Sequence, residues 1–325
     1  MGNLYREPGH AEVVVALGEP AGSGSGPAPV MTREEWKMHP AGRTGLEFYD
    51  LSHTFGPNAP LWPYFEDVEI KRIHYHAKSG VLSQRVSTVM HCTTHLDAPA
   101  HVVEGTPYTD EVPLEQFFGT GVAVSIPKKQ WEVITPEDLE AARPEIRPGD
   151  FVIINTGWHH YYADTRKYFI YSPGLYKEAG IWLRERGVKA VGVDQQALDH
   201  PLATAIGWHP EAPSAPLAPW ALDEYEQHTG RDPRDDFPEW EPCHRQLLGN
   251  GIVGFENVGG ELDKVTGRRC TFAAFPIRWQ YGDGSIVRLV AIVDPTGQYR
   301  IEAGGPGDSW ARPRPALREA KQGQA

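Results

Sequence analysis

Short apolar runs rich in β-branched residues recur along the chain and alternate with helix signals. The predicted strands are residues 122–126, 151–155, 188–194, 252–255 and 286–294. Between them, Thr135 begins a capping box that predicts a helix to about residue 143, and Ser172-Pro173 opens a second helix that closes at Gly187. Pro242 opens a short third helix. Because helices and strands follow one another, we predict an α/β fold.

These predicted elements lie in one body, residues 46–300. Residues 1–45 contain a Gly-, Ser- and Pro-rich run and no sustained apolar periodicity, which predicts a flexible or surface-wrapping arm. Residues 301–325 are rich in Gly, Pro and Arg and are predicted to form a C-terminal tail. Within the body, residues 200–241 are dense in Pro and Trp, which predicts a long irregular segment that acts as a lid or an interface.

Charge and cysteine content exclude several classes of protein. The formal net charge is −12, so we expect no nucleic-acid or anionic-membrane partner, since both need clustered Lys and Arg. The three cysteines form no Cys-x-x-Cys pair, which indicates neither a disulfide framework nor a cysteine-rich zinc site. With no signal-peptide pattern and no apolar run of transmembrane length, the chain is predicted to be cytoplasmic.

The strongest chemical signal is a cluster of ligand-type residues in one short segment. His91, His95, Asp97 and His101 fall within eleven residues. Imidazole nitrogens together with a carboxylate suit Zn, Mn, Fe or Ni better than Mg or Ca. The segment therefore predicts a transition-metal site.

The same segment cannot be fully extended. An extended chain would aim all four side chains at one face, but it would separate His91 from His95 by roughly 13 Å. Two imidazoles that share a metal must be closer, so we predict a bend at Thr93-Thr94. Two threonines and Pro99 argue against a regular helix here.

The segment resembles a known family pattern, H-x-G-T-H-x-D-x-P-x-H. That pattern marks the cyclase-like metal hydrolases, the superfamily of bacterial kynurenine formamidases and isatin hydrolases. The positions that match are His91, Thr94, His95, Asp97, Pro99 and His101. The chain departs from the pattern at Thr93, where the family has glycine. If this position has a positive φ, threonine costs about 1–3 kcal/mol there.

The resemblance extends over roughly residues 46–300. Asp50-Leu51-Ser52 and the segment around Trp62 are similar to the family's opening strand and its substrate-side loop. His244 and Glu256 are similar to its late histidine and glutamate. The resemblance implies a swivelling β/β/α fold, that is, a single α/β domain with a mixed sheet, and assembly as a homodimer or homotetramer.

Residue roles follow from the chemistry and the resemblance together. His91, His95 and Asp97 are expected to hold one metal ion, and Asp97, His244 and Glu256 a second. The cofactor is expected to be one or two Zn²⁺ or Mn²⁺ ions per chain, and a single-metal site stays open. His101 occupies the position of the family's proton-transfer histidine.

Four further residues are predicted to contact the substrate: Trp62, Trp158, His159 and Gln195. Three of them also have a plain structural alternative. Trp62 would be a core tryptophan, and the aromatic run around Trp158 and His159 an ordinary packed loop.

The predicted function is hydrolysis of a cyclic amide or N-acyl amide bond in a small aromatic or heterocyclic substrate. A lactonase would use the same site, because metal-activated water does not distinguish esters from amides. Two other classes stay open: a non-hydrolytic cyclase or lyase, and a metal-binding scaffold protein without catalysis.

Overall fold

The computed structural model describes residues 30–38, 45–210, 212 and 215–299. The chain divides into two units between Thr44 and Gly45. The described part of the first unit contains helix α1 (Arg33–Met38), where Thr32 and Glu35 exchange the hydrogen bonds of a capping box. Most of the predicted arm and all of the predicted tail lie outside the described residues. The domain boundaries stay predictions.

A nine-stranded mixed sheet organises the second unit, with two small two-stranded sheets beside it. The strands are β1 (Glu47–Asp50), β2 (Glu69–His74), β3 (Ser83–Ser87), β4 (His95–Asp97), β5 (Phe118–Ser125), β6 (Val133–Ile134), β7 (Phe151–Asn155), β8 (Gly174–Leu175), β9 (Ala190–Val193), β10 (Val253–Glu256), β11 (Arg268–Ala273), β12 (Gly284–Ile286) and β13 (Val290–Val293). The order in the large sheet is β1-β13-β11-β5-β7-β9-β10-β4-β12.

The centre of this sheet is parallel and its flanks are antiparallel. Strands β5, β7, β9 and β10 run parallel, as buried strands connected by helices do. Strand β4 pairs antiparallel with both β10 and β12. This arrangement sets the histidine-rich segment beside the carboxyl end of β10, where Glu256 lies.

The remaining helices are α2 (His76–Ser79), α3 (Pro136–Ala141), α4 (Arg166–Ile170), α5 (Lys177–Arg186), α6 (Trp220–Thr229), α7 (Pro233–Asp236), α8 (Pro242–Leu248) and α9 (Leu262–Val265). One core lies between the sheet and side chains of α3, α5 and α8, and a second core contains side chains of α9. A third, aromatic cluster joins residues 158–176 to the segment 200–241. No helix in the described ranges is long and apolar enough to cross a membrane.

Several predicted elements are confirmed and three differ. Strand 151–155, the Thr135 capping box and the helix that begins at Pro242 are as predicted. The helix expected from Pro173 begins at Lys177, because residues 174 and 175 pair with β6 instead. The apolar run 286–294 is not one strand, because Ile286 ends β12 and a separate strand, β13, begins at Val290. The segment 200–241 contains α6 and α7, so it is not irregular throughout.

Candidate metal centre

Strand pairing brings together the first group of predicted ligands. His95 on β4 lies directly opposite Glu256 on β10, and Asp97 lies two residues further along β4. Side chains in such register share one face of the sheet. The Nε2 atom of His95 is 3.4 Å from both Asp97 Oδ1 and Glu256 Oε2. All three side chains are buried.

The chain bends at Thr93, as the spacing of the histidines requires. Thr93 has φ of 54°, in the left-handed region that glycine adopts without strain. Beyond the bend, His91 Nδ1 lies 2.7 Å from Asp97 Oδ1. Thr94 fixes the loop to the chain after β10, since its hydroxyl donates to Asn257 O at 2.6 Å. The bend at Thr93 therefore lies between His91 and Asp97, whose side chains are in contact.

Helix α8 supplies His244, and Asp199 orients it. The Asp199 carboxylate accepts hydrogen bonds from the backbone nitrogens of Cys243 and His244 and from Nδ1 of His244. The two backbone amides lie in the first turn of α8, where they have no hydrogen-bond acceptor within the helix. The opposite ring atom, His244 Nε2, lies 3.0 Å from Glu256 Oε1 and 3.6 Å from Asp97 Oδ2.

The donor set fits a transition-metal ion. Buried polar atoms normally have hydrogen-bond partners, yet His95 Nε2 and Asp97 Oδ2 are buried without one. His95 Nδ1 bonds to Thr93 O at 2.9 Å, which turns Nε2 toward the carboxylates. One ligand atom from each of His95, Asp97 and Glu256 lies within 4.8 Å of the others. Nitrogen and carboxylate oxygen suit Zn²⁺ or Mn²⁺.

The ligand atoms group differently from the prediction. His95 was expected with His91 and Asp97, but in the structure it groups with Asp97 and Glu256. His91 groups instead with Asp97 and His101. Asp97 belongs to both groups, as expected of a carboxylate that bridges two metal ions. His244 contacts Glu256 and Asp97, as predicted.

Charges in this centre shift the pKa values of its members strongly. Burial opposes the charged form of His91, but hydrogen bonds to Asp283 and Asp97 raise its pKa to about 9. For His95 the same opposition is overcome by Asp97 and Glu256, and its pKa rises to about 10. Burial alone would raise the pKa of Asp97, yet the surrounding histidines hold it well below its usual range. The ionised carboxylates of the centre therefore favour a positive charge beside them, whether it is carried by protonated histidines or by a bound cation.

His101 lies at the open side of the centre. Its side chain is 30% exposed, and its ring lies 4.0 Å from the ring of His91. Asp283 contacts both histidines, at 3.6 Å from His101 Nδ1 and 2.9 Å from His91 Nε2. His101 is thus the histidine of this group that is placed to exchange protons with solvent.

One cavity of about 140 Å³ opens onto these residues. Its lining includes His91, His95, His101, His244 and Glu256. The lining also includes apolar side chains, among them Pro60, Trp62, Phe65, Phe169 and Ala197. Among the residues predicted to contact the substrate, Trp62 lines this cavity.

The other three residues predicted to contact the substrate are not among the described residues that line the cavity. Trp158 is buried and its indole nitrogen donates to Tyr168 O at 3.0 Å. His159 contacts Asp194. Gln195 is buried with neither amide atom hydrogen-bonded, while its neighbour Gln196 lines the cavity. A substrate role for Trp158, His159 and Gln195 therefore stays a prediction.

Three residues of the site were not found from the sequence. Asp199 and Asp283 orient histidines from loops distant in sequence, and no local pattern marks either. Glu241 comes from the Pro- and Trp-rich segment, has φ of 48° and lines the cavity. Burial raises the pKa of the Glu241 carboxyl. Its position just before Pro242, which begins a helix carrying a predicted ligand, was the one available signal.

An α/β domain with a buried His, Asp and Glu donor set beside a cavity is the arrangement that the cyclase-like resemblance implied. Residues 49–200 match the family model described as "Putative cyclase". The resemblance to the cyclase family is therefore confirmed.

Two relatives that match are named as hydrolases. The chain is 28% identical over 253 residues to a kynurenine formamidase of Salinibacter ruber, and the aligned region covers 75% of this chain and 97% of the relative. It is 24% identical over 269 residues to an isatin hydrolase of Roseibium aggregatum, covering 76% and 92%. A solved isatin hydrolase bound to the product analogue thioisatinate has a similar fold, with a TM-score of 0.61, 20% identity, and 77% and 93% coverage. The predicted α/β fold with a mixed sheet is confirmed.

Proposed function

We propose that this chain is a metal-dependent amidohydrolase that cleaves a cyclic amide or N-acyl amide bond in a small aromatic or heterocyclic compound. The observation that carries the proposal is the meeting of His95, Asp97 and Glu256 beside a cavity that is also lined by aromatic side chains. His95 Nε2 and Asp97 Oδ2 are buried there without a hydrogen-bond partner. The similarity to a kynurenine formamidase and an isatin hydrolase supports the same reaction class.

The metal would be held by His95, Asp97 and Glu256, with His244 beside them and His91 completing the set. When bound, Zn²⁺ or Mn²⁺ supplies Lewis-acid chemistry, polarising a carbonyl and making water more acidic. His95 and His244 must be neutral to bind metal, and their Nδ1 contacts to Thr93 O and Asp199 keep the Nε2 lone pairs aimed at the centre.

Residues around the centre would do the remaining work. His101, partly exposed and next to Asp283, would take a proton from water and return it to the leaving nitrogen. Trp62, Phe65 and Phe169 would pack against an aromatic ring and exclude water from it.

The test is hydrolysis of a panel of formanilides, isatins, cyclic imides and lactones by metal-reconstituted protein, with product masses measured. Turnover of an amide member with the gain of one water is the expected result. Turnover confined to lactones would replace the amidohydrolase by a lactonase, and a product without added water would indicate a cyclase or lyase. No turnover with metal bound would favour a scaffold protein.

A further inference from the structure

We propose a second Zn²⁺ site, built from His159, His160 and Asp263, apart from the cavity. One ligand atom from each of the three lies within 4.8 Å of the others. The carboxylate of Asp263 faces both rings, with His159 Nε2 at 3.4 Å from Oδ1 and His160 Nε2 at 3.3 Å from Oδ2. None of the three belongs to the described lining of the cavity.

The buried carboxylate of Asp194 fixes the His159 ring. Asp194 Oδ2 lies 2.9 Å from His159 Nδ1, and Asp194 Oδ1 accepts from the Thr156 hydroxyl at 2.6 Å and the Thr156 nitrogen at 3.1 Å. The carboxylate of Asp194 accepts a hydrogen bond from Nδ1–H of His159. Burial lowers the pKa of His159, but Asp194 and Asp263 together raise it, so the space between Nε2 and Asp263 favours a positive charge. Zn²⁺ would take the place of the Nε2 proton there. This carboxylate–histidine pair is the outer arrangement common at zinc sites.

The local backbone brings the two rings to one side. His159 and His160 lie in a single 3-10 turn (Trp158–Tyr161) that follows Gly157, whose φ is 85°. Neighbouring side chains in such a turn point about 120° apart. Their ring centroids are nevertheless 4.0 Å apart, and both Nε2 atoms approach Asp263.

Asp263 is also held in place. It lies on α9, and its Oδ1 accepts from Asn155 Nδ2 at 3.1 Å. Asn155 ends β7, and the turn that carries both histidines begins shortly after it, at Trp158. Two imidazoles and one carboxylate match the three protein ligands of an open zinc site, with the fourth position left to water, since His160 and Asp263 are exposed. Zn²⁺ here would tie α9 to the turn after β7.

The test counts Zn²⁺ equivalents bound by chelator-stripped protein, using a competing chromophoric chelator. Wild type and the variants H160A and D263N are compared with D223N, which neutralises an exposed aspartate on α6. We expect H160A and D263N each to bind about one equivalent fewer than wild type and D223N. Zn²⁺ should also raise the melting temperature of wild type more than that of either variant.

Equal stoichiometry in all four proteins would overturn the proposal and leave these residues as an ion-pair cluster. Because His160 and Asp263 are exposed, their replacement should leave the fold intact, and circular dichroism checks this. A protein without hydrolytic activity still gives a result, since the count does not depend on turnover.

Discussion

The carboxylate of Asp199 lies 2.7 Å from Nδ1 of His244 and accepts the backbone hydrogen of the same residue at 2.8 Å. Asp199 therefore fixes both the start of α8 and the ring that α8 carries. The ring's other nitrogen then faces Glu256 and Asp97, so the position of one candidate metal ligand depends on Asp199, which lies behind the ring.

Replacing Asp199 by asparagine should weaken metal binding. Loss of such an orienting carboxylate typically costs about 10–100-fold in metal affinity. The measurement is the Zn²⁺ dissociation constant of D199N beside wild type and the exposed-site control D223N. A purely structural role would lower the melting temperature of the metal-free protein and leave the dissociation constant unchanged, and that outcome would contradict the account.

Replacing His101 by asparagine should strongly reduce turnover but leave the metal content unchanged. General acid–base catalysis contributes about 10²–10⁴-fold, so H101N should lose turnover by that factor on any panel substrate. Metal content should equal that of wild type and of H74N, which alters an exposed histidine on β2. Loss of metal from H101N would instead make His101 a ligand.

Replacing Thr93 by glycine should stabilise the protein. A β-branched residue at φ of 54° carries strain of about 1–3 kcal/mol, while glycine loses about 0.4–1 kcal/mol through the entropy of its unfolded chain. We expect the free energy of unfolding in urea to rise by about 1 kcal/mol. T94G is the contrasting variant and should be less stable, because Thr94 bonds to Asn257 O and to His53 N. A loss in T93G as large as in T94G would refute the strain argument.

The stability of the protein should fall below about pH 6.5, in part through His200. Burial lowers the pKa of this histidine from 6.5 to about 3, although a hydrogen bond to Trp131 O opposes the shift. Between these values the unfolded chain binds a proton that the folded protein does not. The contribution is therefore complete above pH 6.5 and is lost as the pH falls, by up to about 1.4 kcal/mol per pH unit.

In the variant H200N the free energy of unfolding should depend less steeply on pH, by the slope that corresponds to about one proton. Asparagine keeps an acceptor for Leu202 N but does not titrate. Urea unfolding of wild type, H200N and the exposed-site variant H228N at several pH values measures it. The slopes of wild type and H228N should agree, and an equal slope in H200N would contradict the assignment.

The sequence could single out most of the candidate ligands because they lie close together in the chain. His91 to His101 form one segment, and the impossibility of full extension required the bend found at Thr93. His244 and Glu256 depended on the family resemblance. Asp199 and Asp283 could not be identified from the sequence, because each contacts a histidine far away in the chain. Without the fold, nothing distinguishes them from other acidic residues in loops.

Strand order was beyond the sequence for a similar reason. Residues 286–294 read as one apolar strand, yet Ile286 pairs with His95 while Val290 pairs with Asp50. The chain changes its neighbours in the middle of the run, and tertiary pairing rather than local propensity decides where each strand ends. Likewise, pairing with β6 turned residues 174 and 175 from predicted helix into strand.

The most direct test of the metal centre is elemental analysis of purified wild type and H95A, together with hydrolysis of the same panel. The account predicts about one or two Zn or Mn atoms at the centre of wild type beyond any held at the His159 site, and loss of both metal and turnover in H95A. A wild-type protein that binds no transition metal even after reconstitution would contradict the central claim.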